Sequence, residues 1–147
     1  MKQDESNFLS AEIVFPVDFN DCDPMKIVWH GNYIHYFERV RCALLDKIGY
    51  GYIAMEESGY LFPVTEVRVK YVKSLRFGDF CRAKATLVEW ENMIQMKFEL
   101  FNDKTGELTT RGTVNQMCVD AKSGESLFSC PSCFTDKVKA QLNRGNV

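Results

Sequence analysis

The spacing of apolar residues changes period twice along the chain. In "AEIVFPVDF", Ile13, Phe15, Val17 and Phe19 alternate with Glu12, Val14, Pro16 and Asp18, which is the two-residue repeat of a strand. Pro16 has no amide hydrogen to donate, so this strand is expected at a sheet edge or with a bulge. From Asn32 the apolar positions fall every three or four residues, at Tyr33, Phe37, Val40, Leu44 and Ile48, and "IGYG" then supplies the glycine that stops a helix. "YIAMEESG" predicts a short second helix. Four runs rich in Val, Thr, Phe, Tyr and Leu follow: "FPVTEVRVKYV", "DFCRAKATLVEW", "MIQMKFELF" and "TTRGTVNQMCVDA". The connections "KSLRFG", "EN" and "NDKTGEL" are short enough to predict an antiparallel meander. "SCFTDKVKAQLN" predicts an amphipathic C-terminal helix over about 132–143, with Ser132 or Thr135 as candidate N-cap.

Strand, long helix, then four strands is an α+β order. One long helix covers only one face of a five-stranded sheet. The first meander strand carries Val67, Val69 and Tyr71 on one side and Val64 and Val72 on the other, so the second face or an edge is expected to meet another copy of the chain.

The composition narrows this picture. A chain of 147 residues, 46% hydrophobic and 26% charged, suits a single domain over 1–147 whose core, about 12–121, needs no metal or disulfide staple. The net charge is −2 with both signs intermixed, which argues against nucleic acid or an anionic membrane as partner but leaves room for a local basic patch that binds a small anion. The start, "MKQDESNFLS", is polar and acidic, unlike a leader peptide, and no apolar run approaches the ~20 residues of a spanning helix. The expected compartment is therefore cytoplasmic, and the six cysteines are expected as reduced thiols. "SCPSCF" contains a CxxC, but it lacks the βαβ setting of a redox dithiol and the second ligand pair of a zinc site. Cys130 and Cys133 are expected as bystanders, with no metal and no cofactor.

The polar chemistry is concentrated in "NDCDPMKIVWHGNYIHYFERVR", residues 20–41. Asp23 precedes Pro24, which biases it to an extended conformation just outside the helix. Free N–H groups at a helix start favour an ionised carboxylate and can hold an oxygen that gains negative charge. A carboxylate placed there can attack a reactive acyl carbonyl or take a proton from the water that does. The residue types also admit plainer roles. Asp21, Asp23 or Asn32 could each cap the helix, His30 could be a hydrogen-bonded loop residue, Trp29 core, and His35 helix surface. A calcium loop starting at Asp21 would need glycine and glutamate where Lys26 and Asn32 stand. "DCD" is a weak match to the DxD of aspartate-dependent phosphatases, because no hydrophobic strand runs into Asp21 and Met25 stands where Thr or Val is usual.

The segment "DCDPMKIVWHGNY" with the helix "IHYFERVR" resembles the active-site segment of the 4-hydroxybenzoyl-CoA thioesterase family, including its YbgC-like branch. The resemblance runs from about Glu12 to Val119. It implies the hotdog fold, in which a five-stranded antiparallel sheet wraps a long central helix, and it implies hydrolysis of an acyl-CoA thioester. By that resemblance Asp23 is the catalytic carboxylate, as nucleophile or general base. The His30 backbone N–H would polarise the carbonyl while its side chain assists, and Trp29, Gly31 and Tyr33 would lie along the substrate. The family also implies a homodimer or homotetramer.

Two features depart from the family pattern. Met25 and Lys26 stand where small residues often follow the aspartate-proline, and "EWENMIQ" lacks the basic residues that hold the CoA nucleotide in some members. Lys70, Lys73, Arg76 and Arg82 are the remaining candidates for that contact. Hotdog dehydratases match less well, since their histidine typically follows the aspartate by five residues and His30 follows Asp23 by seven. An acyl-carrier-protein thioesterase and a non-catalytic acyl-CoA-binding hotdog protein stay open as alternatives.

Overall fold

The computed structural model describes residues 8–144. Strand β1 (Ser10–Pro16) and a 3-10 turn (Phe19–Asp21) lead to α1 (Asn32–Ile48) and α2 (Tyr52–Ser58). Then come β2 (Tyr60–Leu61), β3 (Val64–Tyr71), β4 (Phe80–Glu89), β5 (Ile94–Asn102), β6 (Leu108–Gln116), β7 (Val119–Asp120) and α3 (Ser132–Arg144). β2 and β7 form a separate two-stranded ribbon, which the sequence pattern does not announce.

The main sheet has the order β1-β4-β5-β6-β3, antiparallel throughout. The edge position expected from Pro16 is therefore observed for β1. The expected four-strand meander holds only for β4, β5 and β6. β3 runs antiparallel to β4 but pairs with β6 at the opposite edge, so residues 72–79 carry the chain back across the fold. Hydrogen bonds to distant segments hold it in place. The Val28 N–H donates to the Leu75 carbonyl at 2.8 Å, and the Leu75 N–H donates to the Tyr33 hydroxyl at 2.9 Å.

α1 buries the stripe its periodicity predicts, Tyr33, Phe37, Val40, Leu44 and Ile48, and ends at Gly49 with φ of +86°. A left-handed residue after a helix is most easily glycine. The strands meet the helix with small residues, Ala83, Ala85 and Gly112. A Cβ at Gly112 would lie 2.5 Å from the Arg68 carbonyl oxygen and 2.8 Å from the Phe37 ring. The missing side chain lets Phe37 stack on Phe98, with ring centroids 4.7 Å apart and planes 15° from parallel. Among the described residues no helix is long and apolar enough to cross a membrane.

Candidate active site

The loop before α1 folds as a tight hairpin. Cys22 and Val28 form an antiparallel bridge, and between them the Asp23 N–H donates to Ile27 O and the Lys26 N–H to Asp23 O, both at 2.9 Å. The Met25 N–H donates to Asp23 Oδ1 at 2.8 Å, a local turn for which Asp followed by Pro is well suited. Among the described residues, Asp23 Oδ2 has no hydrogen-bond partner. Ile27 bridges to Arg76, which brings the crossing segment against the hairpin. Phe19, Cys22, Asp23, Lys26, Arg76 and Phe77 then enclose a cleft of about 450 Å³. The Phe19 and Phe77 rings meet edge-on at 5.8 Å. Burial first, and then the charges of Asp21 and Asp23, push the Cys22 thiol up despite an opposing backbone hydrogen bond. It is therefore a neutral thiol at neutral pH, which leaves Asp23 as the carboxylate that lines the cleft.

Asp21 is built into the loop. Its Oδ2 accepts from the Tyr36 hydroxyl at 2.7 Å and from the Asp18 N–H at 3.1 Å. Its carbonyl accepts from the Trp29 N–H and from Asn32 Nδ2, each at 2.9 Å. Desolvation, followed by the Asp21 hydrogen bond, raises the Tyr36 phenol above its ordinary value and keeps it a donor. Asn32 does not cap the helix. Gly31 stands at the N-cap and has no side chain with which to cap, while Asn32 is the first helical residue and its amide donates to the Asp21 carbonyl.

At the mouth of α1, Trp29 is 49% exposed and so is not core. Its ring lies 4.9 Å from that of His30, and a Cβ on Gly31 would fall 2.2 Å from the indole. Gly31 is what lets the indole lie across the helix start. The His30 carbonyl accepts from the Tyr71 hydroxyl at 2.9 Å. Among the described residues the N–H groups of His30 and Gly31 meet no acceptor, as expected of a helix start. Tyr33, expected along the substrate, is buried at 3% exposure. Its hydroxyl is taken by Leu75, so it supports the cleft wall from behind. His35 is on the exposed surface of α1.

The four cations expected to contact a nucleotide are dispersed. Lys73 pairs with Glu107. Arg82 pairs with Glu12 at 2.6 Å and Asp103 at 3.6 Å, and lies over Phe101. Lys70 borders a separate cleft with Arg68 and Arg111. Of the four, Arg76 alone lines the Asp23 cleft. Sequence reasoning missed Lys26, Phe77 and Tyr71. The departure at Met25 and Lys26 was a signal for the first. Within "KSLRFG" the sequence points to the cations Lys73 and Arg76 and gives no signal for Phe77, which only the pairing of distant segments places.

All six cysteines are free, and among the described residues no group of three or more His, Cys, Asp or Glu is gathered to hold a metal. Desolvation pushes the Cys130 thiol up to about 12 and Cys118 up to about 11, so neither is a thiolate at neutral pH. Replacing Cys130 and Cys133 together with serine is expected to leave thioester hydrolysis within about three-fold of the parent, because neither lines the Asp23 cleft. Loss of most activity in a folded double variant would give the pair a functional role.

Residues 17–142 match the thioesterase-like superfamily. The chain belongs to that superfamily. YneP of Bacillus subtilis is 30% identical over 107 residues, which span 73% of this chain and 78% of that protein. The acyl-CoA thioesterase YbgC of Haemophilus influenzae is 26% identical over 132 residues, 88% of this chain and 93% of that one. A DHNA-CoA thioesterase from Staphylococcus aureus superposes with a TM-score of 0.78 at 27% identity, over 94% of this chain and 96% of that one. This member of the thioesterase-like superfamily is a hotdog-fold thioester hydrolase.

Proposed function

We propose that the protein hydrolyses acyl-CoA thioesters to a free acid and CoA, with Asp23 as the reacting carboxylate. The observation that carries this reading is the state of that carboxylate. One oxygen is fixed by the Met25 N–H at 2.8 Å, the other has no hydrogen-bond partner among the described residues, and the residue lines the cleft formed with Arg76 and Phe77. The unpartnered oxygen either attacks the thioester carbonyl, giving a mixed anhydride that water cleaves, or takes a proton from water that attacks it. In both routes the carbon–sulfur bond breaks, the water oxygen ends in the acid, and a proton from that water ends on the CoA sulfur, through Asp23 in the general-base route and after the thiolate has left in the nucleophilic one. The unpaired N–H groups at the start of α1 are the donors for the oxygen that gains charge. YbgC and the Staphylococcus aureus enzyme, both named for CoA thioesters, support CoA as the carrier.

Free-thiol release from a panel of short, long and aromatic acyl-CoAs, together with an acyl-carrier-protein thioester, tests the proposal. Release from at least one CoA thioester is expected. Release from the carrier-protein thioester alone moves the carrier assignment, and none from any overturns the reading.

The same reading includes a dimer, or a tetramer built from dimers. β3 is an edge strand with an unpaired side, and Val64, Val67 and Tyr71 on it are exposed. Phe19 is 75% exposed beside the Asp23 cleft, an apolar surface of the kind that a second subunit covers. Light scattering at micromolar concentration is expected to give at least twice the chain mass; a monomer contradicts the assembly.

A further inference from the structure

Lys26 stands where the backbone favours glycine. Its φ is +65°, and every other positive φ among the described residues belongs to a glycine. In that region a Cβ crowds the following carbonyl, which glycine avoids. The turn itself is closed by the backbone bonds of Asp23, Lys26 and Ile27 and by the Asp23 carboxylate on the Met25 amide. None of these uses the lysine side chain. Strain kept at the wall of a cleft points to a use for the side chain that causes it.

Charge gives the independent observation. Lys26 and Arg76 line the same cleft, with Asp23 as its one carboxylate, and the Ile27 to Arg76 bridge fixes the two walls together. Among the described residues neither cation is engaged in an ion pair, whereas Lys73 and Arg82 are. An ionised catalytic carboxylate would repel a substrate that brings a second negative charge beside it, and two cations facing one carboxylate reverse that repulsion. The apolar rings of Phe19 and Phe77 provide a wall for the uncharged stem between the thioester and such a group.

We infer that Lys26 and Arg76 bind an anionic group of the thioester substrate, a carboxylate on the acyl chain or a phosphate on the carrier, and thereby select which thioesters the site takes. The inference rests on the reading of the Asp23 cleft as the thioesterase site. It assigns Lys26 a role in specificity, and none in bond breaking.

The test uses butyryl-CoA, glutaryl-CoA and the N-acetylcysteamine thioesters of the same two acids, which lack phosphates. Lys26→Gln removes the charge and keeps the backbone strain, Lys26→Gly removes both, and Lys26→Arg keeps the charge. For the substrates that carry the recognised anion, KM should rise ~10-fold in the Gln and Gly variants with kcat within ~3-fold, the scale of one lost charge-assisted contact. Arg76→Gln should act in the same direction, and Lys26→Arg should stay close to the parent. The Gly variant should melt above the Gln variant, since it relieves the left-handed strain. A defect that follows the glutaryl group on both carriers assigns the site to an acyl carboxylate, and one that follows CoA with both acids assigns it to a phosphate. Equal kcat/KM of parent and Lys26→Gln on all the cleaved substrates overturns the inference while thioester hydrolysis stands. If the parent cleaves none of the four, the thioesterase reading is what fails. Calorimetric binding of CoA and of glutarate to parent and Lys26→Gln then decides the anion site, a weaker affinity in the variant supporting it and equal affinities overturning it.

Discussion

Asp23→Asn lowers turnover on the best thioester by ~10² or more while ligand affinity changes little, the pattern of a lost reacting group. The amide has the shape of the carboxylate, and its oxygen can still accept from the Met25 N–H, now 2.8 Å from Oδ1. The hairpin therefore keeps its form, and the charge on the open side is what disappears. His30→Ala should cost less, because the backbone N–H at the helix mouth remains after the imidazole is removed. Asp21→Asn should cost turnover least, since the Asp21 carboxylate is occupied by the Tyr36 hydroxyl and the Asp18 N–H. Its effect should appear as reduced stability, on the order of 1 kcal/mol for weakened hydrogen bonds. Steady-state rates on variants checked for cooperative melting settle the order of the three. A folded Asp23→Asn protein that turns over near the parent rate would remove Asp23 as the reacting carboxylate.

Phe37→Ala is expected to cost roughly 3–5 kcal/mol of folding stability, the usual loss for a fully buried ring. Phe37 is 1% exposed and stacks on Phe98, at the place where Gly112 lets the helix approach the strands. Nothing nearby is free to fill the cavity, because Gly112 has no side chain and Phe98 is itself fully buried. A domain stable by about 5–15 kcal/mol would lose a large part of its margin. Urea unfolding measures this as a lower midpoint with little change in slope. A loss under about 1 kcal/mol would mean that the core collapses around the gap and that this contact does little to hold α1 on the sheet.

Local order was legible in the sequence. The Tyr33 to Ile48 stripe, its glycine stop and the strand alternation from Ile13 to Val17 depend on residues a few positions apart, and the structure repeats them. Asp23 could be placed outside the helix because Pro24 restricts its immediate neighbour. The family, too, was readable from the residue types around Asp23. The rest required contacts between distant segments. A short connection between β3 and β4 is compatible with antiparallel direction, but it does not make the two strands neighbours, and β3 pairs with β6. That pairing sends residues 72–79 across the fold, seats Leu75 on Val28 and Tyr33, and puts Arg76 and Phe77 against the Asp23 hairpin. The 3-10 turn at Phe19 ends the alternation of β1 and leaves that ring exposed, and the close approach of Trp29 to Gly31 keeps the indole at the surface. Periodicity and capping act through neighbours along the chain, whereas the cleft exists only once the hairpin and the crossing segment pair, which is why the sequence determined the local setting of Asp23 and tertiary structure decided what faces it.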